Sequence, residues 1–75
     1  MTDSKLPTRH ITAVVQEVWL ITGLAYVEDE DRRTWGITRS TPGVGLQNLQ
    51  PGQRIDLTVV EHDAFDLVGA YAPLN

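Results

Sequence analysis

His10-Ile11-Thr12-Ala13-Val14-Val15-Gln16-Glu17-Val18-Trp19-Leu20 is the stretch on which the fold turns. It is rich in β-branched residues and free of Gly and Pro, and its apolar residues alternate with polar ones except for one slip around Val14 and Val15. Alternation of period two belongs to a half-buried strand, and the slip predicts a bulge or strong bend. Working outward, Gly23–Glu28 puts Leu24 and Tyr26 on one face and Ala25 and Val27 on the other, which gives a second strand. Between the two, Trp19, Leu20 and Ile21 fall where a loop is expected, so this apolar cluster is a candidate contact surface.

The remaining chain continues the pattern. Glu28-Asp29-Glu30-Asp31, followed by Arg32 and Arg33, has nothing apolar to bury and reads as a solvated hairpin tip. A third strand covers Thr34–Ser40. Thr41–Gln53 contains Pro42, Gly43, Gly45, Pro51 and Gly52, a density of breakers that fits only a loop, pinned by Leu46 and Leu49. Arg54–His62 alternates with Ile55, Leu57 and Val59 inward. In the fifth strand Phe65, Leu67 and Tyr71 share one parity, and Pro73 ends it. No long helix is expected.

The expectation is therefore an all-β domain: a closed, small five-stranded antiparallel barrel of OB type, with an SH3-like barrel as the alternative. Residues 10–75 form it, and the polar start, residues 1–9, reads as a flexible leader. At 75 residues there is room for one core, and with no cysteine neither a disulfide nor a thiolate metal site can brace it. Nothing resembles a membrane span or a secretory leader, so a cytoplasmic location is expected. Ten acidic against six basic residues give a net charge of −4, which argues against a general phosphate-binding surface.

The chain resembles the cold-shock domains, an OB-fold family that binds single-stranded RNA and DNA. The resemblance spans about Val15 to Tyr71. It rests on Gly23-Leu24-Ala25-Tyr26-Val27, on Gly36-Ile37-Thr38-Arg39-Ser40, and most strongly on Leu49-Gln50-Pro51-Gly52-Gln53-Arg54-Ile55. The family stacks bases on exposed rings of its first three strands. Carried over position by position, the first-strand pair falls on Glu17 and Val18, the second-strand rings on Leu24 and Tyr26, and the third-strand ring on Trp35 or Gly36, depending on a register choice of one residue. If Ile37 points inward, Trp35 is core beside it.

What the resemblance implies is a non-catalytic module for single-stranded nucleic acid, with Tyr26, Trp35, Trp19 and Leu24 as contact residues and Arg39 or Arg33 near the phosphates. The rival is an acidic protein-interaction module on the same barrel, built around Val18, Leu24 and Trp19-Leu20-Ile21, or one that imitates nucleic acid toward a basic partner. No catalytic constellation emerges from Ser4, Ser40 or His62-Asp63, so no enzyme activity, cofactor or small-molecule substrate is expected. The adjacent carboxylates of Glu28–Asp31 cannot all converge on calcium, and His10 and His62 lack neighbouring ligands. The single methionine is the first residue, which speaks against a methionine-based copper site.

Overall fold

A computed structural model of the chain describes residues 7–74. Five antiparallel strands carry it: β1 (Thr8–Trp19), β2 (Leu24–Asp29), β3 (Thr34–Thr38), β4 (Arg54–Glu61) and β5 (Asp66–Pro73), with one 3-10 turn at Leu46–Asn48. Their hydrogen-bonded order is β3-β2-β1-β4-β5, so the longest strand is the spine. β1 serves two neighbours in turn, since Thr8–Val14 pair with β4 and Ala13–Trp19 pair with β2. A sheet that changes partner along one strand must curl, and this arrangement is the OB-type barrel rather than the SH3-like one.

The bend that allows the curl is a bulge in β1 between Val15 and Glu17, one residue beyond the slip visible in the sequence. The loop ahead of β4 clasps it there. Gln50-Pro51-Gly52-Gln53 is a tight turn, closed by the Gln53 amide donating to the Gln50 carbonyl at 3.0 Å, with Gly52 at φ 89°. Proline second and a left-handed glycine third is the chemistry such a turn requires. From it the Gly52 amide donates to the Val15 carbonyl at 2.7 Å, and the Val15 amide donates to the Gln53 carbonyl at 2.9 Å.

Inside lie Ala13, Val15, Ala25, Val27, Trp35, Ile37, Ile55, Leu57, Val59 and Tyr71, capped by Leu46 and Leu49, the two leucines that pin the Thr41–Gln53 loop. Among the described residues no polar or charged residue is buried. Fully burying a side chain the size of Ile37 or Leu57 contributes about 1.5–3 kcal/mol.

Three expectations change. The ring is not closed by a ladder, because no pairing joins β3 to β5. Instead the loop after β3 crosses the gap: the Tyr71 amide donates to the Pro42 carbonyl at 3.0 Å, and the Gly45 amide donates to the Tyr71 hydroxyl at 3.0 Å. Gly43 must stay bare there, since a Cβ would lie 2.4 Å from the Tyr71 ring. Second, Phe65 and Leu67 do not share the parity of Tyr71. The β4–β5 register shifts between Thr58 and Val59, the bulge at Gly69 reverses the alternation, and Val68 turns inward while Phe65 and Leu67 are exposed. Third, β1 starts at Thr8, so Thr8 and Arg9 belong to the barrel and not to the leader; of the rest, Pro7 immediately precedes the strand and residues 1–6 lie outside the described residues. At the two ends of β4 the first and last described residues are tied down, by the Glu61 amide donating to the Pro7 carbonyl at 2.9 Å and the Leu74 amide donating to the Arg54 carbonyl at 3.0 Å.

Leu57→Ala should lower the unfolding free energy by about 2–5 kcal/mol in urea titrations. Tyr71→Phe, which removes only the hydroxyl that closes the gap, should cost about 1–3 kcal/mol.

Candidate functional site

The outer surface of β1, β2 and β3 is set by register. Trp19, Leu24 and Thr38 form one cross-strand row, Glu17, Tyr26 and Gly36 the next, and Val14, Glu28 and Thr34 the third. Tyr26 and Trp19 are 38% and 52% exposed. Beside Tyr26, Gly36 has no side chain, and a Cβ there would meet only the Leu24 side chain at 4.0 Å, so that flank of the ring is open.

At the end of this face the β1–β2 turn carries Leu20 and Ile21 outward, with Ile21 96% exposed. The turn is held from several sides. Gly23, at φ 75°, donates its amide to the Trp19 carbonyl at 2.9 Å, and Thr22 donates its hydroxyl to the same oxygen at 3.2 Å. Arg39 reaches back from beyond β3 and donates Nη2 to the carbonyls of Leu20 and Ile21. Its guanidinium lies where a Cβ on Gly23 would come within 2.8 Å, so the glycine makes room for the arginine. The Trp19 indole donates to the Glu17 carboxylate at 2.6 Å, which fixes the ring. An apolar tip ordered in advance loses little entropy on contact.

Of the residues expected to read nucleic acid, Trp19, Leu24 and Tyr26 share this face. Trp35 does not. Ile37 is fully buried, its strand alternates, and Trp35 is therefore core at 7% exposure, with no ring face for a base. Arg39 is occupied by the two carbonyls. Arg33 lies at the far end of the hairpin, 4.6 Å from the Trp35 ring centroid and 3.9 Å from the Asp66 carboxylate. Arg54, opposite Val14, borders the face.

Asp29 organises that far end, a role hidden inside what reads as a solvated acidic run. The amides of Asp31 and Arg33 donate to its Oδ1 at 2.8 and 2.9 Å, and the Trp35 indole donates to its Oδ2 at 2.9 Å. The three-residue turn that results places Arg32 at φ 66°. The Trp35 hydrogen bond is the main reason that the Asp29 carboxyl titrates below its ordinary 3.8; partial burial opposes it, and the two amides and the Arg33 charge add to it. The signal in the sequence that could mark it is an aspartate at the head of a short turn, a residue type whose side chain accepts backbone amides just ahead of it.

No protein-family model matches the chain, and no curated protein does. Among solved structures the barrel is similar to apo-CusF, residues 6–88, from Escherichia coli. The TM-score is 0.65 over 100% of this chain and 96% of that one, at 12% identity. The likeness establishes the five-stranded barrel fold.

Because the folded-state pKa of Asp29 lies below its unfolded value, the stability it contributes is present above the ordinary aspartate range and is lost as pH falls through the folded value. Trp35→Phe should move the Asp29 carboxyl titration, followed by carbon NMR, up toward 3.8. The stability difference between wild type and Asp29→Asn should shrink as pH drops below about 4.

Proposed function

We propose that the protein is a non-catalytic binding module that docks a protein partner on the outer face of β1 and β2 and the Trp19-Leu20-Ile21 tip. The observation that carries this reading is the tip itself, three consecutive large apolar side chains held in solvent by a braced turn. A phosphate backbone needs cations, and the face offers Glu17 and Glu28 with Arg54 at its border, while Arg39 is bound to backbone carbonyls. A partner with an apolar pocket rimmed by basic side chains complements that surface.

One observation favours the second reading, single-stranded nucleic acid. Tyr26 with Gly36 beside it leaves a ring open to stacking, at the positions where the cold-shock resemblance puts such rings, and one stacked base contributes about 1–3 kcal/mol.

The test selects random peptides displayed on phage against the whole protein and then measures their binding to Ile21→Asp, a substitution at a solvated position that should change stability by less than about 0.5 kcal/mol. Apolar-rich peptides that lose at least about tenfold in affinity on Ile21→Asp are expected. In parallel, an oligothymidylate titration at low salt should leave the tryptophan fluorescence unchanged. A salt-dependent quench by the oligonucleotide, lost in Tyr26→Ala and kept in Ile21→Asp, overturns the protein reading in favour of the nucleic-acid one.

A further inference from the structure

Among the described residues, the start of β1 has an unpaired edge. The bond from the Glu61 amide to the Pro7 carbonyl fixes the phase of the β1–β4 ladder, so Arg9 and Ile11 direct their backbone groups at β4. Thr8 and His10 turn theirs to the opposite side. There β2 has already ended, because the β1–β2 ladder begins at Ala13 and Asp29. An open strand edge is a template for another strand.

The space beside this edge is shaped. A cleft of roughly 230 Å³ lies between the start of β1 and the β2–β3 turn, with Arg9, His10, Thr12, Glu30, Asp31 and Arg33 in its wall. It shares Thr12, Asp29 and Glu30 with a second cleft of roughly 240 Å³ on the outer face, whose lining includes Val14, Glu28 and Arg54.

Charge selects the occupant. Arg9 pairs with Glu61 at 2.9 Å and Asp66 at 3.1 Å, Arg33 lies over Trp35, and His10 contacts Asp56 at 2.8 Å. Glu28, Glu30 and Asp31 have no ion pair among the described residues, and neither have Arg32 on the same turn and Arg54 in the second cleft, so three free carboxylates stand against two free guanidinium groups. The uncompensated charge around the clefts is therefore net negative, with Glu30 and Asp31 beside the open edge and Arg54 in the cleft on the outer face, and a negative edge favours ammonium or guanidinium groups over phosphate. Backbone donors and acceptors on an edge, with carboxylates beside it, match a polypeptide in extended form.

We propose that the Thr8–Thr12 edge of β1 takes an extended peptide segment bearing Lys or Arg as an added strand, with Glu30 and Asp31 holding its basic side chains. Main-chain hydrogen bonds to Thr8 and His10 supply the registration, and the carboxylates supply the preference. The site lies at the opposite end of β1 from the Trp19 tip and does not rest on it.

The probe is acetyl-(Lys-Val)4-amide, titrated into the whole protein at low salt and followed by amide NMR, with acetyl-(Glu-Val)4-amide as its counterpart. The expected result is shifts at Thr8, His10, Thr12, Glu30 and Asp31, slower hydrogen exchange at the His10 amide, and no response to the acidic peptide. E30K/D31K should weaken binding at least about tenfold, and His10→Pro, which removes an edge donor while sparing the bonds to β4, should do the same. Fold retention is read from the amide spectrum of each variant. Equal binding of both peptides, or shifts centred on Trp19–Ile21, overturns the proposal. So does a concentration-dependent dimer abolished by His10→Pro, which would give the edge to a second copy of the chain.

Discussion

The clasp between the Pro51-Gly52 turn and Val15 is the constraint on which the rest of the barrel depends. β1 has to leave β4 and take up β2 within a few residues, and the backbone groups of Val15 would be orphaned at the crossing without the Gly52 amide and the Gln53 carbonyl. Once they are satisfied, the bulge beyond Val15 can turn the strand. The turn sends Ala13 and Val15 into the core and, one bulge later, Trp19 out to the surface.

From that bend the two ends of β1 acquire different chemistry. Its last residues run into a turn that exposes apolar side chains and is stiffened by Arg39. Its first residues run past the end of β2 and expose backbone. The cations that would make either end attractive to nucleic acid are largely spent within the protein, on carbonyls at the tip and on Glu61, Asp66 and the Trp35 ring at the far end. Arg32 and Arg54 make no such contact among the described residues and are the positive charge these surfaces keep.

Much of this was legible in the residues. Alternation in Arg54–Glu61 and in Leu24–Val27 places the inward set correctly, and the breakers of Thr41–Gln53 mark the loop with Leu46 and Leu49 as its anchors. What escaped were features that depend on a partner strand. Gly69 looks like any glycine in a strand until Val60 is found where its side chain would be, and its bulge is what parts Phe65 and Leu67 from Tyr71. The orientation of Trp35 rests on a register of one residue, which only the burial of Ile37 on the same strand resolves. Arg39 offers no sign in sequence that its guanidinium will be taken by carbonyls nearly twenty residues earlier, because hydrogen bonds across a sheet leave no local pattern.

The ties at Pro7 and Leu74 have a mechanical consequence. They anchor the two described ends of the chain at opposite ends of β4, against Glu61 and Arg54. Tension applied between those ends therefore runs along β4 and loads its ladders with β1 and β5 in shear, so that many hydrogen bonds resist together. A hairpin pulled from its open end surrenders them one at a time.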